Sequence, residues 1–426
     1  MDHAHPQPPA PVSEIVAGFV DHFKNHWYAC PSSLPDLGRA YTIRQQLDKE
    51  KEMNGYLDAL FIEMRKSPPP PDEVEAVQNR LIALFTNIAK VSLGLEDHHF
   101  EYLLAQGFRE VTAEFTRMAR RFDPLIDDQD IYQAYRNSSS MHLMQLLLGL
   151  PIEVTPSVFG FSMLYPYTDN YLDNPTIPAD QKEGFNTRFR QRISGESPSP
   201  ANRQEEIVWE LIGKIEEQYE RHENPHIFES LLAIQDAQIK SVELLRRQVS
   251  PYEVDVMGTC FEKGGAAALT DGYLVAGQLT REQQEFVFFY GIYTQLVDDL
   301  EDLFDDRRRG ITTIFSQTAS RWPLDGITNR MFHFGQQALD ALDSFKGDSV
   351  DPIKEMMGIC FTPMLIDSAS TASKFYTHPY LRKLQAHFPF RFGFLKKQRK
   401  RFSKQSDSLK LMLEALMMYA LVQRQG

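Results

Sequence analysis

The sequence predicts an all-α fold, on three observations. Apolar residues recur at helical spacing along most of the chain. No series of alternating, strand-like runs and no internal repeat interrupts them. The connections between periodic stretches are short, as in helices packed around one core.

The elements follow in order. A charged helical stretch over 37–65 stops at the four prolines Pro68 to Pro71, which cannot continue a helix. Pro71-Asp72-Glu73 opens the next helix with acids in its first turn, where the dipole favours them. Amphipathic stretches run over 74–92, 97–122 and 139–148, and the segment 193–202, ISGESPSPAN, reads as a surface loop. Further helices are predicted over 203–221, 227–248, 251–277, 281–306, 325–345, 352–377 and 395–423. Residues 1–140 read as an N-terminal helical extension and 141–426 as the main helical domain, with one continuous domain as the alternative.

Composition narrows the function classes. The formal net charge is -13, from 58 acidic and 45 basic residues, which opposes general nucleic-acid binding. Cys30, Cys260 and Cys360 lie far apart without metal-ligand spacing, as expected of reduced thiols in a cytoplasmic protein. The N-terminus lacks a basic segment followed by an apolar run, and no apolar stretch approaches the ~18 residues a spanning helix requires.

The strongest signal is Gly291-Ile-Tyr-Thr-Gln295-Leu-Val-Asp298-Asp299-Leu-Glu-Asp302. Positions three and four apart share a helix face, so Gly291, Thr294, Gln295, Asp298 and Asp302 form one stripe with Asp299 beside it. Phe286, Phe289, Tyr290, Tyr293 and Val297 form the neighbouring aromatic stripe. Five aspartates between 298 and 306 crowd a helix C-terminus, an end that disfavours acids by about 0.3–1 kcal/mol each, so they call for a cation. Hard oxygen ligands in this array suit Mg²⁺ bridging to phosphate. A second, weaker pair, Asp169 and Asp173 at i and i+4, lies in Tyr167-Thr-Asp169-Asn-Tyr-Leu-Asp173-Asn174, where Pro166 either starts or kinks the helix.

These motifs resemble those of the class I isoprenoid synthases, over about residues 160–315. The Asp298–Asp302 motif is similar to their second aspartate-rich motif. The Asp169–Asp173 motif is similar to that of the prenyltransferase-like (class IB) bacterial terpene synthases, the group that includes the tetraprenyl-β-curcumene synthases. Phe261-Glu-Lys263-Gly264-Gly265 resembles the lysine-containing helix break of the isoprenyl diphosphate synthases. The resemblance implies a class I terpenoid synthase helical bundle and a terpene synthase that ionises an allylic isoprenyl diphosphate. It implies Mg²⁺ held by Asp169, Asp173, Asp298, Asp299 and Asp302, with Lys263 and Gln295 toward the substrate; Arg307, directly after the aspartates, is expected either to grip diphosphate oxygens or to neutralise those acids. A prenyl transferase and a non-catalytic isoprenoid-binding protein are the alternatives. Chain-elongating enzymes carry paired arginines soon after the first motif. Here Asn174-Pro175-Thr176-Ile177-Pro178 follows, and Arg188, Arg190 and Arg192 come later. No DxDD motif is present, and Asp127-Asp128-Gln-Asp130 is a different pattern.

Two further constellations compete. His222-Glu223-Asn224-Pro225-His226 matches H-E-x-x-H, but Pro225 disfavours the continuous helix that zinc chemistry needs. The stretch 368–406 carries ten Lys or Arg and no acid, interleaved with aromatics, and residues 374–404 are expected to offer a peripheral membrane contact.

Overall fold

The computed structural model describes residues 10–64, 73–245, 250 and 252–403. Among these residues there are eighteen α-helices and no strand. In chain order they are α1 (Val12–Ala29), α2 (Ile43–Met64), α3 (Val74–Leu93), α4 (Asp97–Ala105), α5 (Phe108–Phe122), α6 (Asp128–Leu147), α7 (Pro156–Asp173), α8 (Ala179–Ile193) and α9 (Arg203–Gln218). Then come α10 (Pro225–Leu245), α11 (Val256–Ala276), α12 (Arg281–Glu301), α13 (Leu303–Arg309), α14 (Ile314–Ala319), α15 (Asp325–Ala341), α16 (Val350–Thr371), α17 (His378–Ala386) and α18 (Phe392–Ser403). The all-α expectation holds. The Pro68–Pro71 break and the helix expected beyond 403 lie outside the described residues.

Short polar side chains set many of the helix starts. Asp127, Thr155, Asn202, Asp255 and Thr280 each accept a hydrogen bond from a first-turn backbone N–H. The acids at 127–130 therefore begin α6, well upstream of the expected start at 139. The stretch 97–122 is two helices, because Gly107 turns the chain with φ +90 and caps α5. Pro166 lies inside α7, so the helix carries on through it to Asp173.

Helix α11 is the centre of the packing and is buried around most of its circumference. It packs most extensively on α12, then on α10, with α1, α6 and α7 closing round it. Glycine makes the α11–α12 contact this close. A Cβ added at Gly291 would lie under 3.0 Å from the Gly264 carbonyl oxygen, and one at Gly264 would meet the Gly291 carbonyl in the same way. Gly265 faces the ring of Phe288 just as tightly. Helix α1 also belongs to this core: Phe19 lies 5.2 Å from Phe288, and Phe23 lies 4.5 Å from Phe289, centroid to centroid. One contiguous hydrophobic core runs from Val12 to Phe394 and crosses the boundary expected at 140.

Candidate active site

A cavity of about 1170 Å³ opens between α6, α7, α10, α11, α12 and α16. Asp169 and Asp173 line it from α7, Lys263 from α11, Gln295, Asp298 and Asp299 from α12, and Asp302 from the α12–α13 junction. Seven of the eight residues singled out in the sequence thus share one cavity.

The eighth does not. The Arg307 guanidinium donates to Ser320 Oγ at 2.7 Å and to the Ser316 carbonyl, and sits over the Phe375 ring. Two positions on, Arg309 lines the cavity, 3.7 Å from Asp173 Oδ2. Arg136, which no motif marks, reaches the cavity from α6. Asn170, the non-acidic position of the first motif, is held outside the cavity wall by a 2.9 Å hydrogen bond to Asp130.

The acidic end is short of positive charge. Among the described residues, Asp169, Asp173, Asp298, Asp299, Glu301, Asp302 and Asp306 line the cavity together with only three basic side chains, Arg136, Lys263 and Arg309. Burial pushes the Asp169 carboxyl up to about 6, with Lys263 opposing and Asp173 adding to the rise. The low-dielectric wall likewise takes Asp298 up to about 6, against Arg136 and with help from its acidic neighbours, and takes Asp306 up to about 7. Asp299 is raised by burial although the Cys260 thiol at 2.9 Å and Gln295 Nε2 at 2.8 Å donate to it.

This donor set fits a divalent cation, whose charge would relieve the crowding. Among the described residues no three of these carboxyls bring oxygens within 4.8 Å of one another. That spacing suits Mg²⁺, which takes one or two carboxylates and completes its shell with water and phosphate oxygens, rather than an all-protein cage.

The charged end gives way to an aromatic interior at a regular interval. Asp173 and Tyr165 on α7, Asp298 and Tyr290 on α12, and Lys263 and Asp271 on α11 are each eight residues apart, and all six line the cavity. Eight residues are two helical turns, about 12 Å. Tyr293, stacked on Phe361 at 4.4 Å, also lines it. Tyr273 and Phe289 do not: the first packs against His226, the second against Phe23.

The competing constellations take other roles. His222 is exposed on the turn before α10, Pro225 begins that helix, and His226 Nε2 meets the Gly277 carbonyl, so the H-E-x-x-H histidines share no helical turn. A second cluster, His98, His99 and Glu355, has the composition of a metal site. However, His99 Nδ1 accepts the Glu96 backbone N–H at 2.9 Å as part of the α4 cap. That fixes a proton on Nε2, the nitrogen facing Glu355, and leaves it no lone pair for a metal.

The basic segment is partly neutralised within the fold. Arg391 forks onto Glu50, Arg399 pairs with Asp367 and Arg401 with Asp58. Lys396, Lys397 and Lys400 are exposed on α18. Replacing those three lysines with glutamine is expected to weaken binding to anionic vesicles at low salt by about a hundredfold, as read by sedimentation, at about 1 kcal/mol per charge and about 1.4 kcal/mol per factor of ten. Unchanged sedimentation would make the segment an ordinary solvated surface.

Comparison of the chain with models of known protein families, with curated proteins and with solved structures finds no match.

Proposed function

We propose that the chain is a class I terpene synthase that ionises one allylic isoprenyl diphosphate and converts the carbocation to a hydrocarbon or alcohol. The observation that carries this reading is the polarity of the cavity. Acids from two helices and a lysine from a third gather at one end, and aromatic side chains lie two turns deeper.

Asp169, Asp173, Asp298, Asp299 and Asp302 would hold Mg²⁺, which when bound neutralises the departing diphosphate. Lys263, Arg136 and Arg309 offer N–H donors to its oxygens, aimed at charge that grows as the C–O bond breaks. Gln295 holds Asp299 in place through its 2.8 Å hydrogen bond. Tyr290 and the Tyr293–Phe361 pair supply π-faces for the cation and keep bulk water from it.

The arginines also favour a single substrate. Arg188 forks onto buried Glu205, with Nε 2.8 Å from Oε2; Arg192 forks onto Glu216, and Arg190 pairs with Asp236. None of the three lines the cavity. A second diphosphate would therefore lack the paired donors that burial demands.

The test supplies C10 to C25 allylic diphosphates, Mg²⁺ and labelled isopentenyl diphosphate, with products read by mass spectrometry. The expected result is an unlabelled hydrocarbon or alcohol plus inorganic diphosphate. Label in a longer prenyl diphosphate would replace this reading with a prenyl transferase.

A further inference from the structure

Resting on that reading, we propose that Asp271 is the proton acceptor that ends the reaction as an alkene. Asp271 is the one carboxyl among the described cavity residues that stands apart from the acidic end. It lies two turns along α11 from Lys263, on the face that Lys263 and Ala267 present to the cavity. It is only 4% exposed. Asn137 Nδ2 donates to its Oδ1 at 3.2 Å and also reaches Ser162 Oγ at 3.3 Å, which fixes the carboxyl's orientation. Among the described residues its other oxygen has no hydrogen-bond partner.

A buried carboxyl with one tethered oxygen and no counter-ion is a costly feature of a cavity wall unless it is used. The reaction creates a use. Once the diphosphate has left, a cation lies against the aromatic interior, where Tyr165 and Tyr290 flank Asp271. The C–H bond beside the cationic carbon breaks, its electron pair becomes the new C=C bond, and the proton passes to the untethered oxygen of the Asp271 carboxylate. The alternative fate is capture by water, which forms a C–O bond and gives an alcohol once the added water loses a proton.

The electrostatics fit a base and not a metal ligand. Burial pushes Asp271 up to about 8, with only the Asn137 hydrogen bond opposing. The titratable groups facing it are Tyr165 from α7 and Tyr290 from α12, whose phenols burial holds above their usual range, so both stay neutral. Helix α6 presents the neutral Asn137, and Ser140, a neutral hydroxyl near Tyr290. Among the described residues no charged side chain of α1, α6, α7, α10 or α12 biases the carboxyl. The carboxylate form therefore becomes available as pH rises toward 8, while the groups at the acidic end set the total rate and not the partition between alkene and alcohol.

The experiment measures diphosphate release and the alkene-to-alcohol ratio for wild type and Asp271→Asn, with Mg²⁺ and an allylic diphosphate, from pH 6 to 9. The wild-type ratio is expected to rise at least tenfold across that range, and Asp271→Asn to give a low ratio that no longer follows pH. Wild type that releases no diphosphate would overturn the terpene synthase reading and this inference with it. Wild type that turns over with a flat ratio, or a variant whose ratio equals the wild-type ratio at every pH, would overturn the inference alone. If the variant loses its helical circular dichroism, the wild-type profile decides.

Discussion

Asp298→Ala and Asp302→Ala are each expected to fold normally and to lose turnover by about a thousandfold or more. Each factor of ten corresponds to about 1.4 kcal/mol of barrier, so the loss asks about 4 kcal/mol of each carboxylate, in the range seen when a preorganised electrostatic group is removed from an active site. Folding should survive because the Asp298 carboxyl is held above its usual range. A raised carboxyl opposes folding once pH exceeds its unfolded value, so its removal relieves the metal-free protein at neutral pH. Far-UV circular dichroism and steady-state diphosphate release check the two halves. Near-normal rates in both variants would remove the metal role from this cluster.

The second large effect is on stability. Gly291→Ala and Gly264→Ala each place a methyl under 3.0 Å from a backbone carbonyl of the facing helix, which cannot swing aside as a side chain can. The α11–α12 pair must separate, and overpacking of this kind is expected to cost about 3 kcal/mol or more. Gly213→Ala is the control: it is helical, with open space where its Cβ would go, and should be neutral or slightly stabilising. Denaturant unfolding of the three variants compares them. Equal stability of Gly291→Ala and Gly213→Ala would contradict the close contact that aligns Lys263 with the aspartates.

What could be read from the sequence depended on how far each signal was local. The Gly291–Asp302 stripe is a property of one helix face, so helical spacing alone placed Gln295, Asp298 and Asp299 correctly relative to one another. Arg307 lies off the cavity lining because α12 ends at Glu301 and α13 restarts after Asp302, which resets the rotation of every later position. Helix α13 instead turns Arg309 to the cavity. Asp271 gave no warning, since Leu-Thr-Asp-Gly-Tyr reads like any exposed acidic turn of a helix. Its burial comes from α6, α7 and α12 closing over it, which no local pattern encodes. Arg136 is invisible for the same reason. Nothing local ties α1 to the later helices: Phe19 and Phe23 look like an amphipathic surface helix but seat on Phe288 and Phe289, more than 260 positions away in sequence.

The most direct test of the central claim is inorganic diphosphate release by the full chain. The protein is chelated, then assayed with C10 to C25 allylic diphosphates with and without added Mg²⁺. Release that appears with at least one chain length only when Mg²⁺ is restored is the predicted result. No release with any chain length from a folded protein, or release indifferent to chelation, would contradict it.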